Sequence, residues 1–393
     1  MTERIEQIVI VGAGLAGTHA AEELRAAGYT GRLMLIGAEL HLPYDRPPLS
    51  KGVLLGKDTA ASIQLHPQEW YDEQRIELRT GEAVTALDLA ARRVSIGSWT
   101  IGYHRLLLAT GSRPRHLEIV DDSGSPVHHV RSLDDAEGLR GHLKERLLIV
   151  GGGWIGLEVA AAARAAGGEV TLIEATGLPL AGVLGGEVAP VFADLHRAHG
   201  VDLRTGVTLA DVRAGAGGTR AVLTDGSTVD VDRIVVGVGA VPETHVAREA
   251  GLVCQNGILV DAALQTSDPF VYAAGDVANQ AHPQLGRLRV EHWDNAIAQG
   301  RHTARAMLGE HGSFEQQPYF FSDQYDLGME YVGHVGPHGY DRVQIEGSLA
   351  ERVFTAFWLR GDQVVAGMHA GDWGAIDRIR DLVGGPAERL AVR

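Results

Sequence analysis

An α/β protein carrying two copies of a parallel βαβ unit, closed by a small α+β domain, is the fold class this sequence predicts. Three observations carry it. QIVIVGAGLAGTHAAEELRAAGYTGRLMLIGAE (7–39) and RLLIVGGGWIGLEVAAAARAAGGEVTLIEA (146–175) repeat one plan: apolar strand, Gly-x-Gly-x-x-Gly turn, alanine-rich helix, glycine stop, second apolar strand ending in glutamate. The strands are apolar on both faces, as parallel strands covered by helices are. After about residue 316 the texture changes: ERVFTAFWLRGDQVVAGMHA (351–370) alternates apolar and polar residues around Gly361-Asp362, the pattern of an antiparallel hairpin.

The bulk numbers agree. A chain of 393 residues has room for two or three cores, and 45% apolar with 22% charged residues is ordinary globular composition. The opening MTERIEQIVIVG reads as a first strand rather than a signal peptide, and no run reaches the roughly 18 apolar residues of a membrane span. A cytoplasmic protein without a membrane is the expectation. A net charge of −15 argues against a nucleic-acid partner. One cysteine, Cys254, leaves no intramolecular disulfide, redox dithiol or chain-bound iron–sulfur cluster. The 18 histidines form no zinc-type spacing, His128-His129 included, so no metal is expected.

A single Gly-x-Gly-x-x-Gly means little in a chain with 51 glycines. Both copies here have a strand before, a helix after, and an acidic residue 20-odd positions on. In the first, Gly12 allows the tight turn, Gly14 lets a pyrophosphate approach the backbone across Leu15 and Ala16, and Gly17 lets helix and strand pack closely. Gly151, Gly153 and Gly156 repeat those roles for a second dinucleotide. The helix N-termini offer N–H groups to phosphate, and Glu39 and Glu174 are placed to accept from an adenosine ribose. Gly28 and Gly167-Gly168 fall where the helices should stop.

Further stretches fit the same architecture. RLLLATGSRP (105–114) runs a buried strand into the small-residue turn Ala109-Thr110-Gly111. RIVVGVGAVPET (233–244), with Gly239 in its turn, is a similar strand leaving the second nucleotide domain. FVYAAGDVANQ (270–280) places Gly275-Asp276 at a strand end, where an aspartate can accept from a polyol hydroxyl. AGAGG (214–218) reads as a hairpin tip. YVGHVG (331–336) and DRVQIEG (341–347) add strands to the last domain, and 374–383 adds a helix.

These motifs, with PYDRPPLSK (43–51), RSLDDA (131–136), Leu157-Glu158, EHWDNAIAQG (291–300) and FSDQYDLGMEY (321–331), resemble the flavin-dependent pyridine-nucleotide oxidoreductases of the two-dinucleotide-domain, glutathione-reductase-like type. The resemblance covers nearly the whole chain. It is nearest to the NADH:ferredoxin reductases that feed haem monooxygenases or Rieske dioxygenases, with apoptosis-inducing factor more distant. It implies FAD on the first glycine motif and nicotinamide dinucleotide on the second. FAD contacts would then fall on Glu39, Arg46, Pro47, Lys51, Val84, Ala109, Thr110, Gly111, Arg131, Gly275, Asp276 and His292, with Trp293 near the flavin ring. The NAD set would add Trp154, Ile155, Glu158, Glu174 and Gly239. The implied domains are FAD-binding (1–112 and 244–316), NAD-binding (113–243) and C-terminal (317–393), in a monomer or homodimer.

The residues make sense on their own terms. Arg46 offers a guanidinium fork to the pyrophosphate or adenosine of FAD. Pro47 and Pro48 fix φ and bias the residues before them to extended conformations, projecting Lys51 from a stiff segment. Glu158, in an apolar run, can pair with Lys51 and neutralise a buried charge. Both are then electrostatic tuners of hydride transfer, and the cofactor supplies the chemistry. Trp154 either flanks the nicotinamide or packs against the sheet; Trp358 and Trp373 read as core or interface residues of the last domain. ATGLPLAGV (175–183) has no basic residue for a 2′-phosphate, which favours NADH over NADPH.

Three rivals bear on function. A disulfide or peroxide reductase needs a redox cysteine beside the flavin, where this chain has Ser50. A reductase of a small organic acceptor (quinone, nitro compound) or of oxygen stays open, as does a flavin-bound interaction protein of the apoptosis-inducing-factor kind. A ferredoxin-type partner is acidic and calls for a basic rim, for which Arg287, Arg289, Arg301, Arg305 and Arg342 are candidates.

Overall fold

The computed structural model describes residues 4–215, 217–336 and 338–391. The chain divides into two compact units. The first comprises Met1–Asp45, Ala60–Arg113 and Val241–Pro318; the second comprises Arg46–Thr59, Pro114–Ala240 and Tyr319–Arg393. The second nucleotide motif thus shares a unit with the C-terminal segment and with most of PYDRPPLSK.

The first unit is built on a five-stranded parallel sheet in the order Val271–Ala273, Arg105–Leu108, Gln7–Val11, Arg32–Ile36, Ile76–Arg79. Its central strand is buried on both faces, and period two sorts its side chains. Ile8 and Ile10, with Leu33 and Leu35, pack under the helices Leu15–Ala26 and Trp293–Met307. Val9 and Val11, with Met34 and Ile36, pack against a meander of Val84–Asp88, Arg93–Ile96 and Trp99–Gly102. The two helices approach closely because small residues face each other: a Cβ on Gly300 would lie 2.3 Å from the carbonyl oxygen of Ala16. Gly28 ends the first helix as expected, with φ 82°, and Tyr29 N–H returns to Leu24 O at 3.0 Å.

The second unit repeats the plan with a parallel sheet in the order Asp202–Thr205, Glu169–Glu174, Arg146–Val150, Arg233–Val236, Val127–His128. The strands Leu209–Gly215 and Gly218–Leu223 form the expected hairpin, whose tip includes Ala216, outside the described residues. Residues 319–370 form a five-stranded antiparallel sheet in the order Tyr319–Gln324, Leu327–Gly333, Gln363–Ala370, Val353–Arg360, Arg342–Ser348. Gly361-Asp362 turns the hairpin, with Arg360 opposite Gln363. The helix Ile376–Leu382 buries Ile379 and Leu382 against Phe357 and Leu359. Trp358 is core, its indole N–H donating to Leu184 O at 3.2 Å. Trp373 is not: it is 64% exposed.

The segment Pro47–Ser50 departs from expectation. Arg46 is helical (φ −84°, ψ −30°), and Pro47 and Pro48 open a turn of 3₁₀ helix. In a first turn the missing proline N–H groups leave no bond unmade. Leu49 N–H donates to Arg46 O at 2.9 Å and Lys51 N–H to Pro48 O at 3.0 Å. Those bonds outweigh the bias toward extended backbone before proline.

Two glycines give opposite expectations. Gly300→Ala gains roughly 1 kcal/mol of helix propensity but drives a methyl into backbone, so a net loss of about 1–3 kcal/mol is expected. Gly138, exposed in the helix Leu133–Arg140, has no atom within 4 Å of an added Cβ. Gly138→Ala should therefore stabilise by about 0.5–1 kcal/mol. Chemical denaturation of the two variants checks both signs.

Candidate functional site

Each unit carries one glycine loop, and in both the three glycines divide the same labour. Gly12 has φ 110°, and a Cβ there would lie 2.1 Å from Ala109 O; on Gly17 it would lie 1.9 Å from Gly12 O. Those two positions are packing constraints. At Gly14 nothing lies within 4 Å. Gly14 is also the N-cap of its helix, with no side-chain cap and no acidic residue in the first turn. The N–H groups of Leu15, Ala16 and Gly17 therefore lack intrahelical partners beside open space, a cradle for phosphate. In the second unit a Cβ on Gly151 would meet Gly237 O at 2.5 Å, and one on Gly156 would meet Gly151 O at 2.1 Å. At Gly153 the nearest atom is 3.9 Å away. The helix Trp154–Ala165 starts equally uncapped, with Ile155 43% exposed at its first turn.

Around the first loop the unit gathers most of the residues expected there. Ala109 N–H donates to Val11 O at 2.7 Å, and Thr110 Oγ1 and Gly111 O hold the backbone of Glu243 at 2.7 and 2.9 Å. Gly275 approaches Ala16, where an added Cβ would lie 3.0 Å from the alanine methyl. Asp276 accepts from Ser112 Oγ at 3.0 Å. Glu39 accepts from the Tyr44 hydroxyl. His292 is the N-cap of the helix that begins at Trp293, whose indole N–H donates to Asp45 Oδ1 at 2.6 Å. Burial pushes the Asp45 carboxyl above its ordinary value. Val84 opens the separate meander.

Arg46, Pro47, Lys51 and Arg131 belong to the other unit. Arg46 Nη1 donates to Arg131 O, just before a capping box in which Ser132 and Asp135 bond each other's backbone N–H. Glu174 closes onto its own glycine loop: one carboxylate oxygen accepts from Gly152 N–H at 2.8 Å, the other from the N–H and hydroxyl of Thr176, each at 2.8 Å. Gly239, with φ 101°, has nothing within 4 Å of an added Cβ. Trp154 packs, its ring 5.6 Å from Phe192 and 5.2 Å from Phe320.

Lys51 and Glu158 are an ion pair. Lys51 Nζ lies 2.9 Å from Glu158 Oε2, with side-chain exposures of 22% and 4%. The ammonium also reaches Pro47 O at 3.4 Å and sits 5.6 Å from the centre of the Phe321 ring. Ser50 Oγ donates to the same carboxylate oxygen, and Ser322 Oγ donates to Oε1 at 2.7 Å. Sequence reasoning met Ser50 only as an absent cysteine and missed Ser322, although both stand inside quoted motifs.

The family model for the pyridine nucleotide-disulphide oxidoreductases matches residues 6–300, and the reductase C-terminal model matches 319–388. The chain belongs to the pyridine nucleotide-disulphide oxidoreductase family. It is 40% identical to the ferredoxin–NAD(+) reductase component of the anthranilate 1,2-dioxygenase system of Burkholderia cepacia, covering 98% of this chain and 94% of that one. It is 39% identical to putidaredoxin reductase CamA of Pseudomonas putida, covering 92% and 87%. The crystal structure of the covalent putidaredoxin reductase–putidaredoxin complex matches with a TM-score of 0.93 at 36% identity, covering 98% of this chain and 95% of that one. The chain is accordingly an oxidoreductase, and FAD and NADH are the cofactors of the family's ferredoxin–NAD(+) reductases.

Within this family a redox cysteine distinguishes the disulphide reductases, and Cys254 does not fit that role. It is partly buried, and burial pushes its thiol up, away from the reactive thiolate. The expected basic rim is largely committed elsewhere. Arg287 donates to Asn279 O at 2.7 Å, Arg289 to Asp276 O at 3.0 Å, and Arg305 pairs with Glu23 at 2.7 Å. Arg301 lies 3.9 Å from Glu22, while Arg342 is exposed on the last sheet. Among the described residues, His116, Asp121 and His129 bring one ligand atom each within 4.8 Å of one another. His116 Nδ1 lies 3.2 Å from Asp121 Oδ2, a hydrogen-bond contact at the surface. No helix among the described residues is long and apolar enough to cross a membrane.

Because Gly14 and Gly153 sit at extended φ/ψ with room for a methyl, alanine there should leave the fold intact and fill the cradle. Gly14→Ala should weaken flavin retention, and Gly153→Ala should raise the KM for NADH roughly tenfold or more with flavin retained. Flavin content after dialysis and steady-state kinetics check the pair.

Proposed function

We propose that this chain is an FAD-dependent NADH:ferredoxin oxidoreductase, with FAD on the Gly12–Gly17 loop, NADH on the Gly151–Gly156 loop, and a ferredoxin-type carrier serving a haem monooxygenase or Rieske dioxygenase as acceptor. The observation that carries the proposal is the doubled cradle. Two uncapped helix starts, each opening at its middle glycine and wedged at the outer two, call for two dinucleotides. When bound, FAD takes two electrons from NADH as a hydride and releases electrons singly.

The protein's share is binding and electrostatics. Lys51 and Glu158 would supply a fixed ammonium–carboxylate pair, with no nucleophile or general base required. Glu174, held by Gly152 and Thr176, would accept from the ribose 2′-OH and repel a 2′-phosphate. The lack of any basic residue over 175–183 supports NADH. The relatives' names support the acceptor, and so does a partly buried lone cysteine whose thiol burial pushes up.

Anaerobic NADH should bleach the flavin with one NADH per FAD. Re-oxidation should then need two equivalents of a [2Fe–2S] ferredoxin and slow steeply as salt rises. Efficient turnover with quinone or oxygen and none with any ferredoxin would favour the small-acceptor reading. Slow turnover with every acceptor, plus an NADH-dependent change in oligomer size, would favour the interaction protein. Glu174→Ala should cut the preference for NADH over NADPH by about tenfold in kcat/KM.

A further inference from the structure

The hydrogen bonds on Glu158 do not stop at Ser322. A row of buried polar side chains continues from it, all within the second unit. Ser322, Gln324 and His196 are 1%, 1% and 0% exposed. Gln324 Nε2 lies 3.2 Å from Ser322 Oγ, His196 Nε2 lies 2.9 Å from Gln324 Oε1, and the Tyr325 hydroxyl lies 3.3 Å from His196 Nδ1. Buried polar groups at such depth are costly unless every member is satisfied.

The chemistry of the groups gives the row one direction. An ionised carboxylate only accepts, so the Ser322 hydroxyl must donate to Glu158. Its oxygen then accepts the Gln324 amide N–H. The Gln324 carbonyl, which has no proton, must accept from His196 Nε2–H. A neutral His196 so protonated has a bare Nδ1, and that atom accepts from Tyr325 O–H. Every donor points toward Glu158.

We propose that Ser322, Gln324 and His196 are positioning residues: a one-way hydrogen-bond chain that fixes the Glu158 carboxylate in place against Lys51. The functional part of this rests on the reading of the chain as an NADH-driven flavin reductase. Burial supports the neutral imidazole, holding His196 down to about 4. The charged and titratable groups facing the row are Lys51 beside Glu158, His199 stacked on Tyr325 at 3.7 Å, and Arg164, whose Nε donates to His199 O at 2.9 Å. Protonating His196 would place a second N–H against Tyr325 and break the order.

Two measurements test it. Nitrogen-15 NMR of histidine-labelled holoprotein, with His196 assigned by His196→Gln, should show the Nε2–H tautomer, neutral down to below pH 5. The Nδ1–H tautomer or an ordinary titration near pH 6.5 would overturn the chain. Stopped-flow flavin reduction by NADH should slow about tenfold in Ser322→Ala, with Ser322→Thr restoring the rate. A flavin-loaded Ser322→Ala with wild-type rate, or a slow one that Ser322→Thr does not rescue, would overturn the positioning role. Should the wild type show no NADH-driven flavin reduction, the functional reading fails, while the tautomer, measured without NADH, still decides the chain.

Discussion

One buried carboxylate, that of Glu158, constrains the second unit more than any other group. An uncompensated charge at that depth costs several kcal/mol, so the fold must bring donors to it. Three come from two places: Lys51 and Ser50 on the proline-opened turn, and Ser322 on the first strand of the C-terminal sheet. Residues 46–59 and 319–393, which supply those donors, group with the second nucleotide fold. The apolar helix around Glu158 serves the same end, since it excludes the water that would otherwise compete for the carboxylate.

The glycine loops show a second constraint, repeated in each unit. A strand, a helix and a neighbouring strand can meet only where two backbones touch, and a Cβ at Gly12, Gly17, Gly151 or Gly156 would collide with a carbonyl. The middle glycine is different in kind. Gly14 and Gly153 have room for a methyl at uncapped helix starts, so packing within the chain does not require glycine there.

Much of this was legible in residue order. Doubly apolar strands, alanine-rich helices, glycine stops and the Gly361-Asp362 turn are local signals, and the elements formed where those signals stand. The Lys51–Glu158 pair followed from a charge in an apolar run that needed an opposite charge. Ser50 and Ser322 lie 108 and 164 residues from Glu158 in sequence, and a hydroxyl in a loop or strand carries no mark of so distant a partner. His196 looks like a helix residue among 18 histidines until its neighbours are known. The proline segment misled for a local reason: the rule that residues before proline are extended gave way to two 3₁₀ hydrogen bonds. Trp358 and Trp373 shared one reading, core or interface, and only their surroundings separate the buried indole from the exposed one.

The central claim is that Glu158 and Lys51 act as one unit rather than as two independent side chains. A double-mutant cycle with Lys51→Met, Glu158→Gln and the double variant tests it most directly, read in chemical unfolding and in the rate of flavin reduction by NADH. Each single change leaves the other charge without its partner, so the double variant should lose less than the sum of the singles, by about 1 kcal/mol or more in both readouts. Strictly additive losses would contradict the account.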